Sequence, residues 1–255
     1  MDNLKKIILE TLNELVDPSS IDLSSFKQQQ TLNPLLWVDG DKLKPQINKK
    51  LYKIATDYYE SLDIPWVKIS DIIITGSLAN YNWSNYSDID LHILLDFYDV
   101  NENEVLVKDY MDSKRKIWND THNIKIYNFD VELYVQDINE EHTSSGVYSI
   151  LNDEWVIKPK RENIQLDKKL IKRKASEIMN KIDSVIELYN NGEYDAVLDC
   201  YDKLWDKIKK MRKTGLDREG EYSYENIVFK VLRRNGYMEK FIDITNKSYD
   251  KLNSI

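Results

Sequence analysis

The stretch that decides the fold of this chain is DIIITGSLANYNWSNYSDIDLHILLDF, residues 71–97. It opens with three isoleucines, Ile72–Ile74, whose β-branched side chains predict a buried strand. The strand is expected to end at Gly76 and Ser77, because glycine permits a tight turn and lets a ligand approach the backbone. Ten residues further on, Asp88–Leu95 alternates polar and apolar side chains, which is typical of a half-buried strand.

The polar face of the second predicted strand carries two carboxylates, those of Asp88 and Asp90. Like charges two residues apart on one strand face repel each other, and a divalent cation is the usual compensation. Mg²⁺ takes oxygen ligands, often one or two carboxylates together with substrate phosphates. The backbone N–H groups at Gly76 and the hydroxyl of Ser77 are suited to hold such a phosphate. These residues therefore indicate phosphate and metal held together, as phosphoryl or nucleotidyl transfer requires.

The order of these parts resembles the signature of the polymerase-beta-type nucleotidyltransferase superfamily. The resemblance is carried by Gly76–Ser77, ten intervening residues, and Asp88-Ile89-Asp90 on the next strand. It implies that Asp88 and Asp90 are catalytic metal ligands and that Gly76 and Ser77 bind the nucleotide.

The same resemblance implies an activity. Members of the superfamily transfer a nucleoside monophosphate from a nucleoside triphosphate, such as ATP, to an acceptor hydroxyl. They use two metal ions, here expected to be Mg²⁺, with Mn²⁺ as the alternative. The acceptor stays open among a small molecule, an RNA end, a protein side chain and another nucleotide.

A third carboxylate is implied on a neighbouring strand, as a further catalytic and metal-binding residue. The strand pattern at residues 123–135 offers two candidates, Asp130 and Glu132, on one face. The pattern does not separate them, and we favour Glu132 because it lies deeper in the strand.

Other side chains near the two strands allow two interpretations each. His92 shares the face of the two aspartates, so it either lines the site or packs as a partly buried residue. The aromatic residues Tyr81, Trp83 and Tyr86 lie between the turn and the second strand. They either stack on a nucleotide base or pack the loop onto the sheet.

Composition excludes several classes of protein. The net charge of −8 argues against a chain whose whole surface binds nucleic acid. No run approaches the roughly 18 apolar residues needed to cross a bilayer, and the first residues lack the apolar segment of a signal peptide. The single cysteine, Cys200, indicates a reducing compartment. We therefore expect a cytoplasmic protein without a membrane partner.

Helical periodicity dominates the rest of the chain. Around the two strands, it predicts helices at residues 2–16, 45–62 and 101–122. Short strands are expected at residues 147–151 and 155–157. After a boundary at residues 158–161, it predicts four helices at residues 166–190, 193–212, 223–234 and 237–252, the second of them closed by Gly215.

The predicted fold class is therefore α+β. We expect a nucleotidyltransferase-like mixed sheet flanked by helices, with a C-terminal helical bundle after it. The catalytic domain, with its N-terminal helices, is expected to span residues 1–160 and the helical domain residues 161–255.

A helical module in this superfamily usually closes the nucleotide cleft. The resemblance thus makes its basic residues candidates for contacts with the triphosphate or the acceptor. They are Lys203, Lys207, Lys210, Arg212, Lys213, Arg218, Lys230, Arg233 and Arg234. The alternative for each of them is a solvated helix face in which basic and acidic residues are mixed.

Two other classes of function compete with the enzyme. One is a non-catalytic nucleotide- or protein-binding module that retains the nucleotidyltransferase fold. The other is an interaction protein that works through its helical C-terminus, with the sheet as a scaffold. Retention of both Asp88 and Asp90 argues against the first, because an abandoned metal site would leave their repulsion uncompensated.

Overall fold

The computed structural model describes residues 15–38, 41–142, 144–161 and 165–255. These residues form two compact units, one within residues 25–163 and the other made of residues 15–24 together with 165–255. The helix predicted at residues 2–16 falls almost entirely outside the described residues.

The first unit is built around a mixed sheet. The strands of this unit are β1 (Trp37–Val38), β2 (Lys42–Leu43), β3 (Asp71–Thr75), β4 (Ile89–Leu95), β5 (Lys125–Ile126), β6 (Phe129–Asp137), β7 (Val147–Ser149) and β8 (Glu154–Ile157). Its helices are α1 (Pro45–Glu60), α2 (Phe97–Val100) and α3 (Glu104–Thr121). Six of the strands form one sheet in the order β5-β6-β4-β3-β7-β8. The β4–β6 pair is parallel and the other pairs are antiparallel, so the predicted mixed sheet is confirmed.

The apolar run of β3 explains its place inside the sheet. Ile72 and Ile74 point into the main core, whereas Ile73 packs in a smaller cluster with Leu94 and Val147. Both faces of β3 are therefore covered, which is why three consecutive isoleucines are buried. The helix α1 packs its apolar stripe onto the main core through Ile47, Leu51, Ile54, Ala55 and Tyr58.

The strand predicted at residues 123–135 differs from the observed structure. The chain forms a tight hairpin, β5 and β6, with Tyr127 at a positive φ of 54° in the turn. The strand pattern is correct from Phe129 onward, where Phe129, Val131 and Leu133 are buried. The sequence does not reveal this two-residue turn, because the residue with positive φ is a tyrosine and not a glycine. The pairing of β5 with β6 holds Tyr127 in that conformation.

The second unit is a group of packed helices, as predicted for the C-terminal region. They are α4 (Lys168–Asn190), α5 (Tyr194–Glu219), α6 (Tyr224–Arg234) and α7 (Tyr237–Asn253), and each packs against the other three. Side-chain caps define two of their starts: Asp167 Oδ1 accepts from Leu170 N, and Ser223 Oγ accepts from Asn226 N.

The predicted helix end before Gly215 is wrong. The helix α5 continues to Glu219, and Gly215 is buried within it. A Cβ atom at Gly215 would lie 2.7 Å from the Glu225 Cβ and 2.8 Å from the Ser223 Oγ. The glycine is therefore explained by the close approach of α5 to the start of α6, and not by a break in the helix.

None of the helices in the described part of the chain is long and apolar enough to cross a membrane.

Candidate active site

The turn after β3 and the aspartate of β4 form one compact structure. Gly76 has a φ of 71° and a ψ of −157°, a conformation that side chains strongly disfavour. A Cβ atom at this position would lie 1.7 Å from the Asp90 Oδ2. Only a glycine therefore lets the Asp90 carboxylate lie against the backbone of the turn.

The Asp90 carboxylate also has a neighbour on the next strand. Asp90 is the register partner of Glu132 in the parallel pair of β4 and β6. Paired strands lie about 4.8 Å apart, so the two carboxylates stand on adjacent strands at the same level. Asp88 precedes the first residue of β4 by one position and, like Asp90, is partly buried. The structure thus brings Gly76, Asp88, Asp90 and Glu132 to one corner of the sheet.

Asp130 has different surroundings from Glu132. Its carboxylate forms an ion pair with Lys125, with 2.6 Å between Lys125 Nζ and Asp130 Oδ1. Lys125 is also its register partner in the β5–β6 hairpin, and Asp130 is exposed. The regular pairing of β6 with β4 starts only at Val131. Of the two candidates for a third carboxylate, the structure therefore brings Glu132 beside Asp90 and joins Asp130 to Lys125.

The carboxylate of Glu132 is held by a tyrosine that sequence reasoning did not single out. The Tyr134 hydroxyl donates to Glu132 Oε2 over 2.7 Å. Burial raises the pKa of Tyr134, and the charge of Glu132 raises it further. The phenol therefore stays protonated and remains a donor. The Tyr134 ring has two further neighbours: the Arg115 guanidinium carbon lies 4.7 Å from its centre, and the centre of the His92 ring lies 4.8 Å from it. The signal in the sequence was the position of Tyr134, two residues beyond Glu132 on the same strand face.

His92 is partly buried on the polar face of β4, beside the site rather than at its centre. Its Nδ1 is 2.9 Å from the Gln136 Oε1, and its register partner is Tyr134. Burial lowers the pKa of His92, which favours the neutral imidazole. The imidazole packs beside the Tyr134 ring, with 4.8 Å between the ring centres.

The turn is joined to the start of β4 by serine hydroxyls. Ser77 Oγ donates to Ser87 Oγ over 2.7 Å, and Ser84 N donates to the same Ser87 oxygen over 3.0 Å. Ser87 directly precedes Asp88, so these bonds fix the end of the loop next to the carboxylates. A phosphate bound through the Ser77 hydroxyl would compete with its hydrogen bond to Ser87. The sequence offered no signal for Ser87 other than its place before Asp88.

The loop between the turn and β4 is held by hydrogen bonds from a segment upstream of α1. Trp37 Nε1 donates to Leu78 O over 2.8 Å, and Gln29 N donates to Tyr81 O over 2.6 Å. Tyr81 and Trp83 pack against the main core, which agrees with the packing interpretation of these two rings. Tyr86, in contrast, is 60% exposed.

A polar cavity of about 560 Å³ opens beside Glu132 and Tyr134. Its other lining residues come from α3: Asp109, Asp112, Ser113, Arg115, Lys116, Asn119 and Asp120. Asn119 holds this helix against β6, because its side chain accepts from Leu133 N and donates to Leu133 O, each over 3.2 Å. No local sequence pattern indicated Asn119, since its role depends on a long-range contact with the edge of a strand.

The carboxylates fit a hard divalent cation by their chemistry and their register. Asp88, Asp90 and Glu132 supply oxygen donors, which Mg²⁺ prefers, at one corner of the sheet. Their side chains do not yet converge: among the described residues, no three Asp, Glu, His or Cys side chains form a group that could hold a metal.

Comparisons of the chain with protein-family models, with curated proteins and with solved structures gave no match.

Proposed function

We propose that this chain is a metal-dependent nucleotidyltransferase of the polymerase-beta type, which transfers a nucleoside monophosphate from a nucleoside triphosphate to an acceptor hydroxyl. One observation carries the proposal: the Asp90 carboxylate lies against the Gly76 turn and is also the register partner of Glu132. A phosphate-binding turn and two carboxylates within one corner of a sheet are the parts that this chemistry requires.

Each residue of the corner has a proposed role. The backbone N–H groups of the Gly76 turn and the Ser77 hydroxyl hold a phosphate of the nucleotide. Asp88, Asp90 and Glu132 would hold Mg²⁺, or Mn²⁺ in its place. When bound, the metal would neutralise phosphate charge and lower the pKa of the acceptor hydroxyl. Tyr134 orients the Glu132 carboxylate by donating to it.

The cavity between α3 and β6 is the proposed entrance for the acceptor. It borders Glu132, and the residues that line it are charged or polar, together with Tyr134. A polar lining favours a hydrophilic acceptor, which leaves a small molecule, an RNA end, a protein side chain and a nucleotide as choices. We also propose a cytoplasmic location, supported by the single cysteine, Cys200.

A second candidate is a nucleotide- or protein-binding module that keeps this architecture without catalysis. It is favoured by the lack of convergence of the carboxylates among the described residues.

Calorimetric titration with nucleoside triphosphates, with and without Mg²⁺, distinguishes the two candidates. The enzyme is expected to bind a triphosphate more tightly with Mg²⁺ and to lose this gain in Asp90→Asn. Binding that is indifferent to both the metal and the substitution would favour the non-catalytic module.

A further inference from the structure

A short segment before β7 lies beside the Gly76 turn, on the side opposite to Asp90. It consists of residues 144–146, with the sequence Ser-Ser-Gly, and directly precedes β7. In the sheet, β3 is paired with β4 on one side and with β7 on the other. The antiparallel pairing of Ile74 with Tyr148 therefore places the segment next to the turn that follows β3.

Gly146 joins this segment to both ends of the turn. It is buried, and a Cβ atom at this position would lie 2.0 Å from Ala79 O. Ala79 is the last residue of the short 3-10 helix that follows Gly76. At the other end, Thr75 Oγ1 donates to Gly146 O over 3.2 Å, and Thr75 is the register partner of Asp90. The turn is therefore enclosed by Asp90 on one side and by Gly146 on the other.

The two serines of the segment have different surroundings. Ser144 Oγ donates to Gly146 O over 3.0 Å and accepts from Gly146 N over 3.4 Å, so this hydroxyl shapes the segment itself. Ser145 is exposed, and its Oγ accepts from Asn80 Nδ2. Asn80 directly follows the 3-10 helix and is only 2% exposed. A buried amide thus orients the hydroxyl of an exposed serine beside the turn.

Attachment of the segment does not explain the bond between Asn80 and Ser145. The bond from Thr75 and the close packing of Gly146 already hold the backbone in place. Ordering an exposed side chain is opposed by conformational entropy, and water can satisfy an exposed hydroxyl equally well. An oriented hydroxyl next to the turn is useful when a charged oxygen binds there, because hydrogen bonds to ionised groups are the stronger ones.

We propose that Ser145 binds a phosphate group of the nucleotide from the β7 side of the Gly76 turn, and that Asn80 is the positioning residue for its hydroxyl. The inference rests on the proposed function, since it takes the Gly76 turn as the place where the phosphate lies. A hydroxyl that accepts one hydrogen bond still has a proton to donate, and in this role Ser145 donates it to a phosphate oxygen. The phosphate is then held by backbone N–H groups of the turn and by two hydroxyls, those of Ser77 and Ser145.

Calorimetric titration of the full chain tests this role. The probes are ATP, GTP, CTP and UTP, each with Mg²⁺, and sodium tripolyphosphate. Ser145→Ala is expected to weaken binding at least about tenfold, because it removes a donor to a charged oxygen. Ser145→Thr keeps the hydroxyl and should bind nearly as the wild type does. The matched control is Ser70→Ala, which removes an exposed hydroxyl just before the start of β3, at its other end, and should leave affinity unchanged.

A double-mutant cycle tests the part played by Asn80. Asn80→Ala should weaken binding, and the double variant with Ser145→Ala should bind no more weakly than Ser145→Ala alone. The reason is that both substitutions remove the same contact with the phosphate. Losses of affinity that simply add would overturn the positioning role.

Thermal unfolding identifies a folding defect. Because Ser145 is exposed, the midpoint of Ser145→Ala without ligand should lie within a few degrees of the wild type. A bound triphosphate should raise the wild-type midpoint more than that of Ser145→Ala. An equal rise in both proteins would contradict the contact.

The results separate this inference from the proposed function. Mg²⁺-dependent triphosphate binding that is unchanged in Ser145→Ala would overturn the inference and keep the enzyme. A loss that affects the nucleoside triphosphates and spares tripolyphosphate would also overturn it, because the contact would then be with the nucleoside. Binding that depends on Ser145 without any transfer of label would keep the phosphate site and reject the enzyme. No binding of any of the five anions by the wild type would reject both.

Discussion

Asp90 is paired with Glu132 across two parallel strands, while its carboxylate fills the space above Gly76. The Gly76 turn, β4 and β6 therefore meet at one side chain. A substitution in the Gly76 turn, at Asp90 of β4 or at Glu132 of β6 is therefore expected to displace the other two.

The contact between Gly76 and Asp90 can be tested with a glycine of the same backbone conformation. Gly220 has a φ of 69° and a ψ of −155°, and a Cβ there would meet nothing within 4 Å. Gly220→Ala should therefore cost only the backbone strain, ~1–3 kcal/mol of unfolding free energy. Gly76→Ala should cost more in denaturant unfolding, because it must also displace Asp90. Equal losses would mean that Asp90 moves aside freely.

The bond between Tyr134 and Glu132 also has a matched control. The Tyr148 hydroxyl donates to Asp153 Oδ1 over 2.8 Å, in the same unit but at β7. Tyr134→Phe and Tyr148→Phe should each lower the unfolding free energy by ~1 kcal/mol. Only Tyr134→Phe should weaken Mg²⁺-dependent binding of nucleoside triphosphate in calorimetry. Equal effects on binding would reduce Tyr134 to a structural residue.

The two candidates for the third carboxylate should differ in activity. Glu132→Gln is expected to lower transfer by orders of magnitude, because Glu132 stands beside Asp90. Asp130→Asn breaks an exposed ion pair with Lys125 and should change stability by no more than about 1 kcal/mol and leave transfer largely intact. Initial rates of label transfer by the two variants provide the comparison. An inactive Asp130→Asn beside an active Glu132→Gln would reverse the assignment.

The stability of the helical unit should depend on pH through Lys230. Because the folded pKa of Lys230 is lowered from 10.5, its charged form destabilises the folded chain, and that penalty disappears as pH rises through the folded pKa towards 10.5. Lys230→Met should therefore be more stable than the wild type at pH 7, and the difference should shrink at alkaline pH. Denaturant unfolding across this range measures it. A difference between Lys230→Met and the wild type that stays constant with pH would contradict the lowered pKa of Lys230.

Much of the architecture could be predicted because it depends on the local spacing of apolar residues along the sequence. A short window of sequence reveals the isoleucines of β3, the alternation of β4 and the apolar stripes of α1 and α4. In each case the apolar side chains of the pattern are buried in the structure. Gly215 was misread because a glycine inside a helix looks like an end when the neighbouring helix start is unknown. Its cause, the approach of Ser223 and Glu225, is tertiary.

The candidate site was predictable only in part for the same reason. Gly76, Asp88 and Asp90 follow one another closely in sequence, so spacing alone suggested that they act together. Asp130 and Glu132 have the same parity on one strand, and only the register of β6 with β4 and the ion pair to Lys125 distinguish them. Register between distant strands is not present in any local window.

The central claim is tested most directly by transfer of label from nucleoside triphosphates labelled at the α-phosphate. The full chain is incubated with each triphosphate, Mg²⁺ and a cell extract that supplies acceptors, and the labelled product is then identified. We expect the wild type to transfer label only when Mg²⁺ is present, and Asp90→Asn to transfer none while keeping a thermal midpoint at or above that of the wild type. Equal transfer by wild type and Asp90→Asn, or no transfer from any triphosphate, would contradict the proposed nucleotidyltransferase.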